Sequence, residues 1–440
     1  MIRSGDKIRR ALRLAVIVLA ALMLGSCNKR NKHKIELPQT AISIGVDQAG
    51  TKAIIDDPDN TMRLKQMIRD CYDAQGGRTG GFGVHGYKTV NNSGTKVSTK
   101  LFDNMRIYPD LALDVNAKPT TQEITTALGD DAPRWTYTPT RYWDSNPNAS
   151  YQFIAYWPWV TGTQNGSQAY ASSPSQTDLD ADYDAKTLTI HNIPNWQTVN
   201  DDVMDFMTAT QVGTYANNFS TGIVSFSFNH VLSQLVIKAY YVGKEERTQE
   251  VNGVITGGVR INSITLSAYT PQGADETAVM AQLKSDGKIV QDESTFRTLG
   301  GTTSTLTQRY DSQASIAATL AASYQLTGVS DSPIVFKNEA SEDDNYLNNF
   351  TPSTVGHWLI VPHVWYKLNM TIDFNIGNTN KVSSAIPVAL ASAQSDYVTR
   401  PGSAYVLTLI FDTTGGGFTV EQVAVKNWNE IDVDKEVYNW

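Results

Sequence analysis

Few side chains in this chain of 440 residues are arranged in a way that could do chemistry. Asp130 and Asp131 are adjacent carboxylates, but in a polar stretch such pairs are far more often solvated than catalytic. The sequence contains no nucleophile elbow or phosphate-binding loop, and its histidines lack the spacings that bind zinc. These histidines are His33, His85, His191, His230, His357 and His363. We therefore predict no enzyme activity, no cofactor and no metal site.

Cys27 is the exception, because its thiol could be acylated. It ends the apolar run LAVIVLAALMLGSC, which a basic segment precedes. A membrane-spanning helix needs about 20 apolar residues, and this run is shorter, as in a cleavable signal peptide. Its end, Leu24-Gly25-Ser26-Cys27, resembles the lipobox of bacterial lipoproteins. We predict a signal peptide at residues 1–26, a lipid on Cys27 that holds the protein at the outer membrane, and a tether at 27–39. The alternative is a plain signal peptide in which Cys27 is incidental.

The composition indicates a globular protein, with 41% apolar and 18% charged residues. Removal of 26 residues from 440 leaves about 414, which at roughly 100–200 residues per domain predicts two domains. The net charge of −8 makes nucleic acid an unsuitable partner. With Cys27 lipidated, Cys71 has no intrachain disulfide partner, and we expect it to be a passive loop thiol.

Alternating apolar and polar residues recur along the chain and predict β-strands. Ala41–Val46 places Ile42, Ile44 and Val46 on one face, and Tyr366–Ile376 alternates without interruption. Short strands separated by Asn, Asp, Ser, Gly and Pro predict an all-β sandwich fold. A polar break near residues 212–222 divides the chain into predicted domains at 40–211 and 223–440.

Two stretches lack the strand pattern. Residues 56–81 are rich in charge and glycine, and we predict an exposed loop of the kind that proteases cut. This stretch carries Arg63, Arg69 and Arg78. For residues 271–347 we predict mainly loops and insertions, with Ile316–Leu326 as the one plausible helix.

Several short motifs recur in an order that resembles the fimbrillin family, the type V pilins of Gram-negative anaerobes. Besides the lipobox, they are WTY at Trp135–Tyr137, FIAYWP at Phe153–Pro158, FNHVLS at Phe228–Ser233, LIVP at Leu359–Pro362 and PGSAY at Pro401–Tyr405. The resemblance implies a lipoprotein built from two transthyretin-like β-sandwich domains in tandem. It also implies a structural or adhesive pilus subunit at the outer membrane or in the fimbrium.

The resemblance further implies maturation by an arginine-directed protease and assembly by donor-strand exchange. The cut would follow Arg63, Arg69 or Arg78 and remove the first strand, with Ile42, Ile44 and Val46. Residues 431–440 of another pilin subunit would enter the vacated groove. In this segment Ile431, Val433 and Val437 would lie on the same face of the strand. Because this tail is short and the insertions are long, we favour a tip or accessory role over a shaft role.

A second class of function is a surface lipoprotein that binds a glycan or host ligand without polymerising. Trp157, Trp159, Trp358 and Trp365 could stack on sugars. The competing interpretation is that these rings belong to the core, as aromatic side chains in alternating strands usually do. Solvent exposure of two neighbouring Trp rings would favour binding.

Overall fold

The structure is a computed structural model whose described residues are mostly in β-strands, with few helices. It describes residues 40–46, 60–268, 303–361, 368–388 and 401–427, the last four ranges with short internal gaps. The all-β prediction is confirmed. The first strand and the alternating strand that ends at Ile376 are both present.

The described residues of the first half of the chain form four helices among their strands. In chain order its elements are β1 Ser43–Val46, α1 Asn60–Arg69, β2 Phe82–Asn92, β3 Thr95–Pro109, α2 Thr121–Leu128, β4 Trp135–Thr136, β5 Ala149–Trp157, β6 Tyr170–Ser172, α3 Gln176–Ala181, β7 Thr187–Pro194, β8 Trp196–Thr198, β9 Met207–Gly213, α4 Tyr215–Asn218, β10 Ile223–Phe226 and β11 Asn229–His230.

The described part of the second half consists of strands. They are β12 Ser233–Val242, β13 Thr248–Val251, β14 Val254–Gly257, β15 Val259–Ala268, β16 Thr303–Arg309, β17 Ser315–Ala318, β18 Ser323–Gln325, β19 Val335–Phe336, β20 Ser353–Ile360, β21 Leu368–Ile376, β22 Thr379–Val382, β23 Ile386–Val388, β24 Ser403–Asp412, β25 Gly417–Val420 and β26 Ala424–Asn427.

The largest sheet has eight strands in the order β10-β1-β4-β3-β2-β5-β9-β11. Its long hairpin, β2 and β3, turns at Ser93 and Gly94, which both have positive φ, as a tight hairpin turn requires. β5 lies between β2 and β9 and is buried along most of its length. β1 has neighbours on both sides and is therefore an interior strand of this sheet.

A second sheet of seven strands follows the path β25-β24-β12-β20-β8, with β19 on β12 and β26 on β24. β12 and β24 are parallel over nine residue pairs, from Gln234–Ala404 to Val242–Asp412. The last two strands, β25 and β26, both pair with β24. They form the edge of this sheet in the part of the chain that the structure describes.

Hydrogen bonding crosses the predicted junction at 212–222 in both directions. β10 and β11 belong to the first sheet, although they follow the junction. β7 pairs with β16, and β8 pairs with β20, although β7 and β8 precede it. One buried cluster contains only residues between Ile42 and Phe228, and a second joins Tyr87 and Ile154 to side chains of the second half. The boundary between independent domains stays a prediction.

Three local predictions are wrong. The stretch predicted as an exposed loop contains the ten-residue helix α1, whose Leu64, Met67 and Ile68 are buried. Cys71 follows this helix and is also buried, so it is not a loop thiol in a polar setting. The stretch predicted as a helix, Ile316–Leu326, contains β17 and β18 instead, because pairing with β16 and β15 satisfies its backbone.

Candidate functional site

The most unusual position in the fold is the one that β1 occupies, which we call the first-strand site. It lies between β10, which runs parallel to β1, and β4, which runs antiparallel to it. Ile44 is opposite Val224 on one side and Trp135 on the other. β1 has only four residues. A short strand thus fills an interior position of an eight-stranded sheet.

Backbone hydrogen bonds hold the residues just before and at the start of β1. The N–H of Ile42 donates to the carbonyl of Arg141 at 2.8 Å, and that of Ser43 donates to the carbonyl of Gly222 at 2.8 Å. The Tyr137 hydroxyl donates to the carbonyl of Ile42 at 2.5 Å. These bonds fix the register of β1 from both sides, because each uses a backbone group of the strand.

Two side chains anchor β1 in the core. Ile42 and Ile44 are 2% and 5% exposed, and they belong to the same buried cluster as Trp135 and Phe226. Val46 is half-buried against this cluster. The predicted shared face of the three side chains is therefore present. At about 1.5–3 kcal/mol for each fully buried aliphatic side chain, the strand is held by only a few kcal/mol of apolar burial.

The walls of the first-strand site are built from aromatic rings that pack on one another without β1. Phe82 meets Trp135 at a centroid distance of 5.1 Å and Phe226 at 6.2 Å. Trp143 stacks on Phe219 at 5.1 Å, and its indole N–H donates to the carbonyl of Gly222 at 3.2 Å. Because these contacts do not include β1, we expect the walls to persist when another strand takes its place.

The three candidate processing arginines lie in different settings. Arg63 is in the first turn of α1 and Arg69 is in its last turn, where it is half-buried. Arg78 is exposed in the loop before β2, with its guanidinium 5.6 Å from the centroid of Tyr108 and one nitrogen 3.4 Å from the carbonyl of Pro109.

The remaining predicted site residues lie outside the described residues. They are the lipidation site Cys27 and the donor residues Ile431, Val433 and Val437. Trp365 also lies there, whereas Trp157 and Trp358 are 6% and 1% exposed and belong to the core. Trp159 is half-buried, with Arg106 5.7 Å from its ring centroid. Two neighbouring exposed Trp rings, which a glycan site would require, are not found among the described residues.

Several titratable side chains of the described residues are buried, and burial shifts their pKa values. Burial lowers the pKa of His85 to about 4 and that of His357 to about 3. Burial also raises the pKa of the Cys71 thiol, which donates to the carbonyl of Met67 at 3.2 Å. His230 pairs with the carboxylate of Asp205 at 2.8 Å. Within the described ranges, His, Cys, Asp and Glu side chains form no group that could hold a metal ion.

None of the helices that the structure describes is long and apolar enough to cross a membrane.

The sequence predicted the first strand and the alternation of its apolar residues, but not that β4 and β10 flank it. β4 has only two residues, whereas β10 lies in an alternating run at Val224–Phe228, and no local pattern places either of them beside β1. The signal for Trp143 as a wall residue was weaker, since it precedes a polar turn. Only the sheet order brings these residues to one place.

Comparisons with known proteins identify a family and several similar structures. The fimbrillin-like family model matches residues 90–428. Among solved structures, a fimbrial protein from Bacteroides vulgatus is 15% identical, with a TM-score of 0.46, over 88% of this chain and 99% of that one. A fimbrial assembly protein from Parabacteroides distasonis is 9% identical, with a TM-score of 0.28, over 88% and 99% of the two chains. No curated protein matches the chain. Since the family model covers more than half of its length, the chain belongs to the fimbrillin-like family.

Proposed function

We propose that this protein is a structural or adhesive fimbrial subunit that assembles with other pilin subunits by donor-strand exchange. The observation that carries the proposal is the first-strand site, in which a four-residue strand fills an interior position and buries only two side chains deeply. An incoming strand could form the same backbone bonds, with affinity from the main chain and register from alternate side chains. The fold would then be two transthyretin-like β-sandwich domains in tandem, and the buried cluster that contains only residues between Ile42 and Phe228 supports the first of them.

Export and attachment are part of the proposal. Residues 1–26 would direct export, and a lipid on Cys27 would hold the precursor at the outer membrane until maturation. Replacement of Cys27 by Ala is expected to move the protein from the membrane fraction to the soluble fraction. Unchanged membrane partition of this variant would count against lipidation.

Among the three arginines, the packing of α1 supports cleavage after Arg63. A cut there would release β1 while Leu64, Met67 and Ile68 stay with the fold. The first turn of a helix lacks part of its internal hydrogen bonding, so it can open for a protease more easily than the helix interior. A cut after Arg78 would instead separate all of α1 from the core.

Processing in vitro tests this assignment. Treatment of the folded protein with an arginine-specific protease is expected to give a new N-terminus at Leu64. The variant Arg63→Lys should resist maturation, and the matched variant Arg78→Lys should mature normally. A new N-terminus after Arg69 or Arg78 would refute the choice of Arg63.

The choice between a tip or accessory role and a shaft role depends on the tail. The sequence favours the tip or accessory role, in which the subunit mainly accepts a strand. The test compares the processed full-length protein with a version truncated after Trp428. If only the full-length form polymerises, the protein is a donating shaft subunit and the preference is wrong.

A further inference from the structure

We infer that one face of β3 carries a binding site for an acidic saccharide, with Arg78 and Arg106 as the groups that bind its carboxylates. The site consists of these two arginines together with Tyr108 and Trp159, and we call it the arginine ladder. It is separate from the first-strand site, because β4 lies between β3 and β1 in the sheet. Its function therefore does not depend on strand exchange.

The alternation of β3 brings the ladder to one face of the sheet. Ile107 is buried in the core cluster, opposite Phe82 of β2, whereas Arg106 and Tyr108 on either side of it are half-buried. Successive side chains of a strand point to opposite faces of a sheet. Arg106 and Tyr108 therefore share the face away from this cluster, and Arg78 reaches Tyr108 from the loop before β2.

The four side chains of the ladder alternate between cations and rings. The guanidinium carbon of Arg106 lies 5.1 Å from the centroid of Tyr108 and 5.7 Å from that of Trp159. The guanidinium carbon of Arg78 lies 5.6 Å from the centroid of Tyr108. The two guanidinium carbons are thus at most 10.7 Å apart, the sum of their distances to this ring. A guanidinium that lies over a ring keeps its N–H groups available for a carboxylate.

Hydrogen bonds to the backbone hold the ladder in place. One terminal nitrogen of Arg106 donates to the carbonyl of Arg78. The indole N–H of Trp159 donates to the carbonyl of Asn104 at 3.3 Å, and its backbone N–H donates to the carbonyl of Gly81 at 2.7 Å. Because these side chains are already ordered, a ligand has little conformational entropy to remove when it binds.

The ladder lacks a negative charge. Arg106 is half-buried, and its Nε atom is buried with no hydrogen-bond partner among the described residues. In the same part of the chain, neither Arg106 nor Arg78 has a carboxylate oxygen within the 4.0 Å of an ion pair. Removing a cation from water without a counter-charge is costly. An anion supplied by a ligand would offset this cost.

Two acids that are close to the ladder in the sequence have other partners. The carboxylate of Asp73 accepts the N–H groups of residues 75 and 77, at 3.0 and 2.7 Å. Asp103, on the same strand as Arg106, pairs with Lys100 at 3.1 Å. A local surplus of positive charge thus persists in a chain whose net charge is −8. Such a surplus favours a ligand of the opposite sign.

The position of β3 favours a saccharide over an acidic peptide. β3 pairs with β2 on one side and with β4 on the other, so the ladder offers no free backbone edge to which a peptide strand could add. Recognition must come from side chains alone. Arginine N–H groups suit carboxylates, and half-buried aromatic rings suit the apolar face of a sugar. An acidic sugar presents both features in one small unit.

The test measures binding of labelled oligosaccharides to the full chain by fluorescence anisotropy, at low and high salt. The acidic probes are tetragalacturonic acid and sialyllactose. The methyl ester of tetragalacturonic acid keeps the sugar and removes the charge, and a hexaglutamate peptide keeps the charge and removes the sugar. Thermal denaturation of each variant checks that it is folded.

At least one acidic saccharide is expected to bind, and the methyl ester should bind at least tenfold more weakly than the acid. Arg78→Gln and Arg106→Gln should each weaken binding about tenfold, since hydrogen bonds to charged groups are the strong ones. Arg106→Lys, which keeps the charge without the planar fork, should lose about threefold. High salt should weaken binding to the unaltered protein.

The control variant is Lys96→Gln, at the other end of β3. It removes an exposed cation that lies 4.3 Å from the centroid of Tyr183, so it matches the change in charge and the loss of a ring contact. Its binding should equal that of the unaltered protein. Equal weakening by Lys96→Gln and Arg78→Gln would show a general effect of charge and would overturn the ladder as the site.

The other outcomes are equally decisive. If neither acidic saccharide binds, or if the methyl ester binds as tightly as the acid, the ladder is not a site for acidic sugars. If hexaglutamate binds as tightly as tetragalacturonic acid and depends on the same arginines, the ligand is an acidic peptide and the assignment to a saccharide is wrong. Exposed Arg78 keeps the test valid if Arg106→Gln fails to fold.

Discussion

The first strand and the last strands of this protein are held in opposite ways. β1 pairs on both sides, but it is short and buries only Ile42 and Ile44 deeply. β25 and β26 pair only with β24 among the described residues, and Phe418 packs half-buried against Phe374 and Phe411. β1 is thus held by pairing on both sides and by two buried side chains, whereas β25 is held by one neighbouring strand and a half-buried ring.

The surroundings of the two regions differ more than the strands themselves. The first-strand site has walls of packed rings that do not depend on β1, whereas β25 has β24 as its one neighbouring strand among the described residues. A strand that leaves the first site leaves a formed groove, and a strand that leaves the edge leaves a shorter sheet. This difference makes the first site the one suited to exchange.

The largest effect is expected for the wall residue Trp143. Its replacement by Ala should lower the free energy of unfolding by about 3–5 kcal/mol, because a fully packed ring is lost. Trp143 is 3% exposed and meets Tyr151 at 4.7 Å as well as Phe219. Urea denaturation measures the change, with Tyr142→Ala, an exposed neighbour, as control. Equal losses in the two variants would contradict the idea of a packed wall.

Acid should weaken both sheets through one buried histidine in each. Burial lowers the pKa of His85 on β2 to about 4 and that of His357 on β20 to about 3. An unfolded histidine has a pKa near 6.5, so below this value only the unfolded state gains a proton. The stability that each buried neutral histidine contributes is therefore fully present above about pH 6.5 and is lost as pH falls towards 4. By about pH 5 the loss is roughly 2 kcal/mol for each histidine.

Urea denaturation at neutral and acidic pH checks this expectation. His85→Gln and His357→Gln should each remove about half of the loss in stability that acid causes. A full acid-dependent loss in the double variant would show that other groups are responsible.

The sequence could predict the strands with strict alternation, and β1 and β21 are the clearest cases. It also contained a signal for α1 that its charged residues obscured. Leu64, Met67, Ile68 and Cys71 follow the i, i+3, i+4, i+7 spacing of a buried helix face. The stretch before Leu326 shows the reverse error, because its alanines favour a helix and tertiary pairing imposes strands.

The neighbours of β1 could not be predicted in this way. β4 and β10 are far apart in the sequence, and no local period says that they flank one strand. The same limitation applies to the pairing of β7 with β16. Strand order is set by long-range packing. The alternation of apolar residues in the first strand could therefore be read from the sequence, but the strands around it could not.

The next prediction concerns the strand in the first-strand site. Ile44→Ala is expected to cost about 2 kcal/mol or more, since the side chain is 5% exposed and leaves a cavity. Hydrogen exchange of the Ser43 amide should accelerate, because its bond to Gly222 depends on the strand staying in place. Ser43→Ala, which changes an exposed side chain of the same strand, should cost less than about 0.5 kcal/mol. Similar costs for both variants would show that β1 is not anchored through Ile44.

The smallest effect is expected at the open edge. Phe418→Ala should cost about 1–2 kcal/mol, below the usual 3–5 for a core ring, because the side chain is only half-buried. Its contacts with Phe411 at 5.4 Å and Phe374 at 6.0 Å are the ones lost. Thr419→Ala, at the exposed neighbouring position, provides the control in the same denaturation experiment. If Phe418→Ala lowers the free energy of unfolding more than Ile44→Ala does, the last strands are held more firmly than β1. The first-strand site would then differ from the edge only in its walls of packed rings.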